Sequence, residues 1–571
     1  MRKLIVYLKD YKKEVLLSPL FKLLEAGIEL IVPLVIASMI DVGIGEKNKN
    51  YLFFMGIVLL GLSIVGFAFS IVAQYFAAKA STGFSTELRK VLFSHFNRFS
   101  YEDLDKIGTS ALITHLTGDV NQIQAGVNLT LRLLLRSPCI VFGAMIMAFM
   151  VDKKVALIFL LTIPILFVVV FFILIKGIPL YKRVQKSMEI ITQIVRENLT
   201  GMRTIRSFHQ QKKEEKQFEK ENLLLLHFQK YVGRLSGMLN PLTYMILNVA
   251  MIGVLFFGGK EVQIGKLTQG EVVALINYMS QILVELIKFA NYIMLVTKSI
   301  ACAKRVGAIL NVKPTKMEVE GDYEVGRKVT NDVILEFQNV DFAYPSSQEY
   351  ALNHINFKVK EGQTIGIIGG TGSGKTTLAY LMAGLYPKTK GTILFRGEKI
   401  EHYSQNFLRK TIGIVPQKSV LFRGTLADNL LFGKENGTKE EMEEVLLLAQ
   451  AKELLEEKGL NYIIQQGGKN LSGGQRQRVA IARTLMCDPD VLIFDDSTSA
   501  LDNKTEFHFR KALKNFGKNK TIFFITERIS SIMDADQILV LEDGKIVGNG
   551  THQELLKNCS VYQEIYQLNQ Q

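Results

Sequence analysis

The sequence predicts a two-part membrane protein: a domain of six long helices followed by an α/β domain of the P-loop type. Three observations carry that prediction. Apolar runs of about twenty residues recur through roughly the first 300 positions and then cease. The remainder alternates short apolar strands with polar helices. Within that remainder, GGTGSGKT (369–376) follows the strand pattern TIGIIG and opens the helix pattern TLAYLMAGL, the context a phosphate-cradling loop requires.

The 571 residues suffice for several domains, and 68 Lys and Arg against 54 Asp and Glu give a formal net charge of +14. In a chain with membrane spans that excess belongs to cytoplasmic segments facing anionic lipid, so no nucleic acid is expected as a partner. Tryptophan is absent, and any interfacial aromatic belt must use Tyr and Phe. The four cysteines (Cys139, Cys302, Cys487 and Cys559) show no CxxC and no metal spacing, which reads as free thiols in a reducing compartment. The N-terminal MRKLIVYLKDYKK is basic, amphipathic and without a cleavage site, predicting an interfacial helix that leads into a signal-anchor.

Spans fall near 16–42, 51–75, 130–151, 155–176, 238–258 and 270–296. The expected domains are therefore 1–310 in the membrane, a linker over 311–332, and a nucleotide-binding domain over 333–571. GIGEKNKN, DKK and GGKEVQIGKLTQG are short polar turns, whereas the segments between spans two and three and between four and five are long and charged. Short turns outside and long basic segments inside put both termini in the cytosol, with the chain in the cell membrane. No proline interrupts 51–95. About 45 residues at about 1.5 Å each make roughly 70 Å of helix, against a hydrocarbon core of about 30 Å. The surplus predicts helices that project into the cytoplasm.

Charges inside the spans need a reason. Glu25 and Glu29 lie one turn apart in the first span, Arg132 and Arg136 one turn apart in the third, and Glu285 and Lys288 near the middle of the sixth. Such groups are costly in lipid. They either face a water-filled substrate cavity, for which Glu29, Arg136 and Glu285 are the candidates, or form structural ion pairs and snorkel to the inner leaflet.

The nucleotide machinery is more specific. Gly369, Gly370, Gly372 and Gly374, with Thr371 and Ser373 between them, let backbone N–H groups wrap the phosphates of ATP. Lys375 neutralises the β/γ charge, Thr376 offers its hydroxyl to Mg²⁺, and Thr377 continues the loop into the helix. Asp495, ending the apolar strand VLIFD, is the matching carboxylate on the Mg²⁺ side. Between these motifs stands LSGGQ (471–475), inside NLSGGQRQRVAIARTL.

With LSGGQ beside the P-loop, essentially the whole chain resembles the ATP-binding cassette (ABC) exporters, in which membrane and nucleotide domains share one chain. The resemblance implies that Tyr344 of FAYP stacks on adenine and that Gln417 of VPQ senses Mg²⁺ and the attacking water. It implies that the signature Leu471, Ser472, Gly473, Gly474 and Gln475 acts on a partner's ATP, Ser472 and Gly474 reaching its γ-phosphate. Asp502 ends the loop that touches the opposite site. TSALITHLTGDVNQIQ (109–124) and RENLTGMRTIRSF (196–208) match the regions that couple the two domains.

Two departures stand out against that family. Asp496 occupies the place of the usual catalytic glutamate, and Glu527 in FFITERIS that of the usual switch histidine. Aspartate is shorter by one C–C bond, about 1.5 Å, and misplacing a general base removes about 10²–10⁴ in rate. Ionised glutamate donates no hydrogen bond and points negative charge at the γ-phosphate. A third departure, QQGGKN (465–470), replaces the acidic segment often found before LSGGQ. Both catalytic departures lie on the face built by the P-loop and the Asp495 strand, the Walker motifs, while the signature is intact. The pattern resembles the degenerate-site subunit of a heterodimeric multidrug exporter, its partner a second half-transporter with Glu and His at these positions. The alternatives are a lipid or peptide exporter and, in another class, a catalytically silent regulatory subunit.

Overall fold

Long apolar stretches with few prolines build the N-terminal part as continuous helices. The computed structural model describes residues 4, 6–314, 332–345, 347, 349–516 and 520–570. Among them, six helical segments are long and apolar enough to cross a membrane: Val6–Ile44, Lys49–Phe96, Thr109–Val151, Lys153–Thr200, Gln211–Gln263 and Gln269–Asn311. Each expected span falls inside one of them. The 48-residue helix Lys49–Phe96 is about 72 Å long at about 1.5 Å per residue, more than twice the hydrocarbon thickness.

Two of the polar turns between spans supply helix caps. Asp152 of the DKK turn accepts from the N–H groups of Lys154 and Val155, both at 2.8 Å, to start Lys153–Thr200. Thr268 and Glu271 form a capping box at the head of Gln269–Asn311. The third segment is broken at Leu134–Leu135 and resumes as Arg136–Val151. Pro138, three residues into the new helix, has no N–H to return to the preceding turn, which accounts for the break.

By contacts the chain divides into two units, Met1–Phe96 with Ser110–Val312, and Asn97–Thr109 with Lys313–Gln571. Most of the expected linker, 315–331, lies outside the described residues. The boundary between the units falls within the first expected coupling region, 109–124. Residues 110–124 belong to the membrane unit, and it is the preceding segment, 97–109, that joins the nucleotide unit. A capping box between Ser100 and Asp103 starts the short helix Tyr101–Ile107. In the same unit the Tyr386 hydroxyl donates to Asp105 Oδ2 at 2.5 Å, and its ring lies 6.0 Å from that of Tyr101. Burial and the neighbouring Asp105 carboxylate push the Tyr386 hydroxyl well above the usual phenol range. The second expected region, 196–208, stays in the membrane unit, with Leu199 67% and Phe208 70% exposed.

In the nucleotide unit a six-stranded sheet runs in the order Lys545–Gly550, Gln537–Glu542, Thr364–Gly369, Thr521–Ile525, Val491–Asp495, Ile412–Val415. All neighbouring pairs are parallel except the first. Val491–Asp495 and Thr521–Ile525 are buried at every residue, as expected of parallel strands covered on both faces. A separate sheet has the order Leu352–Lys360, Val333–Phe342, Lys390–Phe395, Glu398–Lys399. The helix Gly473–Leu485 opens with the signature, and Lys439–Leu448, followed by Lys452–Lys458, packs beside it.

Candidate functional site

Sheet register decides which side chains meet. In adjacent parallel strands Ile525 pairs with both Ile367 and Asp495. The strand ends therefore place the P-loop, Glu527 and Asp495–Asp496 side by side at the carboxyl edge of the sheet, where open α/β sheets bind ligands.

The loop after Gly369 needs glycine for two different reasons. Gly372 and Gly374 have φ of +86° and +97°, the left-handed region that other residues avoid. A Cβ on Gly374 would also lie 2.8 Å from the Ala351 carbonyl oxygen. Lys375 Nζ donates to Gly369 O and Gly370 O, each at 2.8 Å, and to Glu527 Oε1 at 3.2 Å. Thr371 Oγ1 donates to the same Glu527 oxygen at 3.1 Å. Tyr344, expected on the adenine, exchanges a hydrogen bond with Thr377 Oγ1 at 3.0 Å and packs edge-on against Phe342 and Tyr386.

Thr376 Oγ1 lies 3.1 Å from Asp495 Oδ1. Asp495 is 1% exposed, and burial pushes its carboxyl up to about 6, Thr376 and Lys375 opposing the shift and Asp496 adding to it. Its Oδ2, like Ser373 Oγ, is buried without a hydrogen-bond partner. Keeping that carboxylate ionised costs stability above pH about 6, a cost relieved as pH falls towards the ordinary value. An orphaned carboxylate oxygen beside a threonine hydroxyl is the donor set a hard divalent cation takes, so the residues fit Mg²⁺.

Asp496 itself has φ of +45°, its N–H donating to Ile525 O at 2.8 Å. Gln417 Nε2 donates to Asp496 Oδ2 at 3.1 Å. The glutamine and the short acid are thus brought together. Asp502 is exposed, and its Oδ1 accepts from the Thr505 N–H at 3.2 Å at the head of Asn503–Phe516; hydrogen bonding from the Thr505 side chain, and less from that N–H, holds its carboxyl below the usual range.

The signature is a helix start. Ser472 caps Gly473–Leu485 in a capping box with Gln475, while Leu471 is buried and Ser472 and Gly473 are exposed. Gln475 Nε2 and Arg478 both reach Glu453 of the neighbouring helix. The unusual QQGGKN closes on itself: Asn470 accepts from the Gln465 N–H at 3.0 Å and donates to Ile463 O and Tyr462 Oη, each at 2.9 Å.

Sequence reading missed Glu506, which is 4% exposed. It accepts from Thr498 Oγ1 at 3.2 Å and from Ser531 Oγ, and lies 3.6 Å from Arg528. It thus ties the loop ending at Asp502 to the segment after Glu527, on a helix face that gave no pattern to read. It also missed Tyr101–Ile107, although SYED at 100–103 is a legible capping signal.

In the membrane unit, Glu29, Arg136 and Glu285 form one cluster. Arg136 donates to Glu29 at 2.8 and 2.9 Å and to Glu285 at 2.9 Å. Ser137 and Lys288 complete the shell of Glu285, at 2.8 and 2.9 Å. Glu285 and Arg136 are buried, whereas the Glu29 side chain keeps 41% exposure. Glu25 pairs instead with Lys22 at 2.5 Å.

Comparison with known proteins places both halves of the chain. Residues 15–286 match the ABC transporter transmembrane region and residues 352–499 the ABC transporter family. The chain is 35% identical to YfiB of Bacillus subtilis (strain 168), an uncharacterized ABC transporter ATP-binding protein, over 99% of this chain and 98% of that one. It is 30% identical to the ATP-dependent lipid A-core flippase of Salmonella typhimurium, over 99% and 97%. A bacterial Atm1-family ABC exporter solved with ATP bound shares the fold, with a TM-score of 0.80 over 98% of each chain and 22% identity. The likeness runs through both halves of the chain, and the protein belongs to the ABC exporters, with transmembrane and ATP-binding domains fused on one polypeptide.

Proposed function

We propose that this chain is one subunit of a heterodimeric multidrug exporter of the cell membrane, binding ATP at its own site while hydrolysis runs mainly at the partner's. The observation that carries this reading is the sorting of the departures. Asp496 and Glu527 alter the Walker face, while LSGGQ is intact and starts a capped helix with Ser472 exposed. The exposed Leu199 and Phe208 in this single chain also favour a second chain to cover them.

In this reading residues 1–310 form the translocating domain, with both termini cytoplasmic, and 333–571 the nucleotide-binding domain. The P-loop (369–377) holds the phosphates of ATP, Tyr344 the adenine, and Thr376, Asp495 and Gln417 the Mg²⁺. That cation, when bound, neutralises phosphate charge. Gln417 holds the short Asp496 carboxylate by a hydrogen bond, and Glu527 offers no donor when ionised, so the water is poorly activated. Leu471–Gln475 and Asp502 serve the partner's ATP. Amphiphilic small molecules are the proposed cargo, with Glu29 the partly exposed member of the charge cluster on their path. A lipid substrate is the second reading, favoured by the likeness to the lipid A-core flippase.

The chain purified alone is expected to hydrolyse ATP at least about 100-fold more slowly than the complex with a Glu- and His-bearing half-transporter. Steady-state ATPase assays on both preparations check this, and full turnover by the chain alone would overturn the obligate pairing. Asp496→Glu by itself is expected to leave this site slow, because Glu527 remains on the P-loop lysine. Nucleotide trapping at each site tests that, and vigorous turnover here would show that the missing methylene was the whole defect.

A further inference from the structure

We propose that Glu527 is a specificity-determining residue: its carboxylate sits on the Lys375 ammonium that a γ-phosphate uses, and on the Thr371 hydroxyl beside it, so this site discriminates against a nucleoside triphosphate relative to a diphosphate. The inference rests on the assignment of this site to ATP and goes beyond it. Sheet order dictates the placement. Thr521–Ile525 runs between the P-loop strand and the Asp495 strand, so a residue two positions past its end arrives at the P-loop. One Glu527 oxygen then lies 3.2 Å from Lys375 Nζ and 3.1 Å from Thr371 Oγ1. An ammonium has three N–H donors. Those of Lys375 go to Gly369 O, Gly370 O and Glu527.

A γ-phosphate reaching Lys375 must displace this carboxylate or meet it as a like charge. The β-phosphate stands differently. Besides its share of Lys375 it has the backbone N–H groups of the turn through Gly372 and Gly374, a concavity that Glu527 does not enter by any of these contacts. The two nucleotides therefore differ in what they ask of Glu527. Lys375 is 10% exposed but the Glu527 side chain 55%, so the glutamate can swing into solvent. That makes the contact a displaceable competitor rather than a block. Displacing an exposed ion pair and relieving the residual repulsion together amount to about tenfold in affinity.

The test is equilibrium binding of ATP, of adenosine 5′-(β,γ-imido)triphosphate and of ADP to the purified full-length chain in lipid nanodiscs. Glu527→Gln is isosteric and uncharged, and Glu527→Asp keeps the charge on a shorter stem. Expected for Glu527→Gln is a Kd for both triphosphates about tenfold lower, with the Kd for ADP changed less than about twofold. Glu527→Asp is expected to stay within about threefold of wild type for every nucleotide. An equal shift for triphosphates and ADP, or no shift, overturns the inference. The broader reading fails separately: if Lys375→Ala leaves all nucleotide binding unchanged, the site is not the ATP site at all, and the inference falls with it. Rapid ATP turnover by the chain alone would sink the heterodimer but leave the triphosphate-to-diphosphate ratio as evidence here.

Discussion

Replacing Gly474 by glutamate is expected to lower the ATPase activity of the assembled exporter by about 100-fold or more, although this chain's own P-loop is untouched. Ser472 and the backbone at Gly473 and Gly474 begin the helix Gly473–Leu485, whose first N–H groups and dipole favour an anion. The proposed anion is the γ-phosphate of ATP held on the partner. Even a bare Cβ at Gly474 lies 3.2 Å from the Ala500 carbonyl oxygen, so a longer acid must project outward, into the path of the phosphate. Transport should fall with hydrolysis. Lys375→Ala, by contrast, is expected to weaken ATP binding at this chain's site and reduce transport without removing the partner's chemistry. Steady-state ATPase and nucleotide trapping on both complexes separate the two. Equal activity in wild type and the Gly474→Glu complex would mean that the competent site does not depend on this signature.

Breaking the charge cluster in the membrane unit should destabilise the fold more than any exposed substitution. Arg136→Leu leaves Glu285, which is 3% exposed, with only Lys288 and Ser137, and frees Glu29 of its partner. Removing one member of a buried pair costs about 3–5 kcal/mol. The remaining lysine and serine favour the lower end, about 3 kcal/mol. Arg136→Lys should recover part of this, since an ammonium keeps the charge but lacks the planar fork that reaches both carboxylates. The double change Arg136→Leu with Glu285→Leu should be less destabilised than Arg136→Leu alone, because no buried charge is then left behind. The midpoint temperature for loss of the monodisperse species, followed by size-exclusion chromatography after heating, checks this. Unchanged midpoints in Arg136→Leu would show that the cluster does not hold the helices together.

Much of this protein was legible in one dimension. Apolar runs of bilayer length declare themselves because lipid offers no hydrogen-bond partner to an unpaired backbone. GGTGSGKT, LSGGQ and VLIFDD are legible because phosphate recognition uses contiguous backbone, so its glycines and its lysine must be neighbours in sequence. The sorting of departures between Asp496 and Glu527 on one side and LSGGQ on the other needed only those motifs. What required tertiary structure is every contact made across the chain. Arg136 meets Glu29 and Glu285 from positions 107 and 149 residues away, a distance over which periodicity carries no information. Glu527 reaches Lys375 because sheet order interposes its strand, and strand order is not written locally. Residues 97–109 rather than 110–124 join the nucleotide unit, because Tyr101 and Asp105 find Tyr386 there. Local patterns set which elements form; long-range burial and hydrogen bonding decided which side chains they bring together.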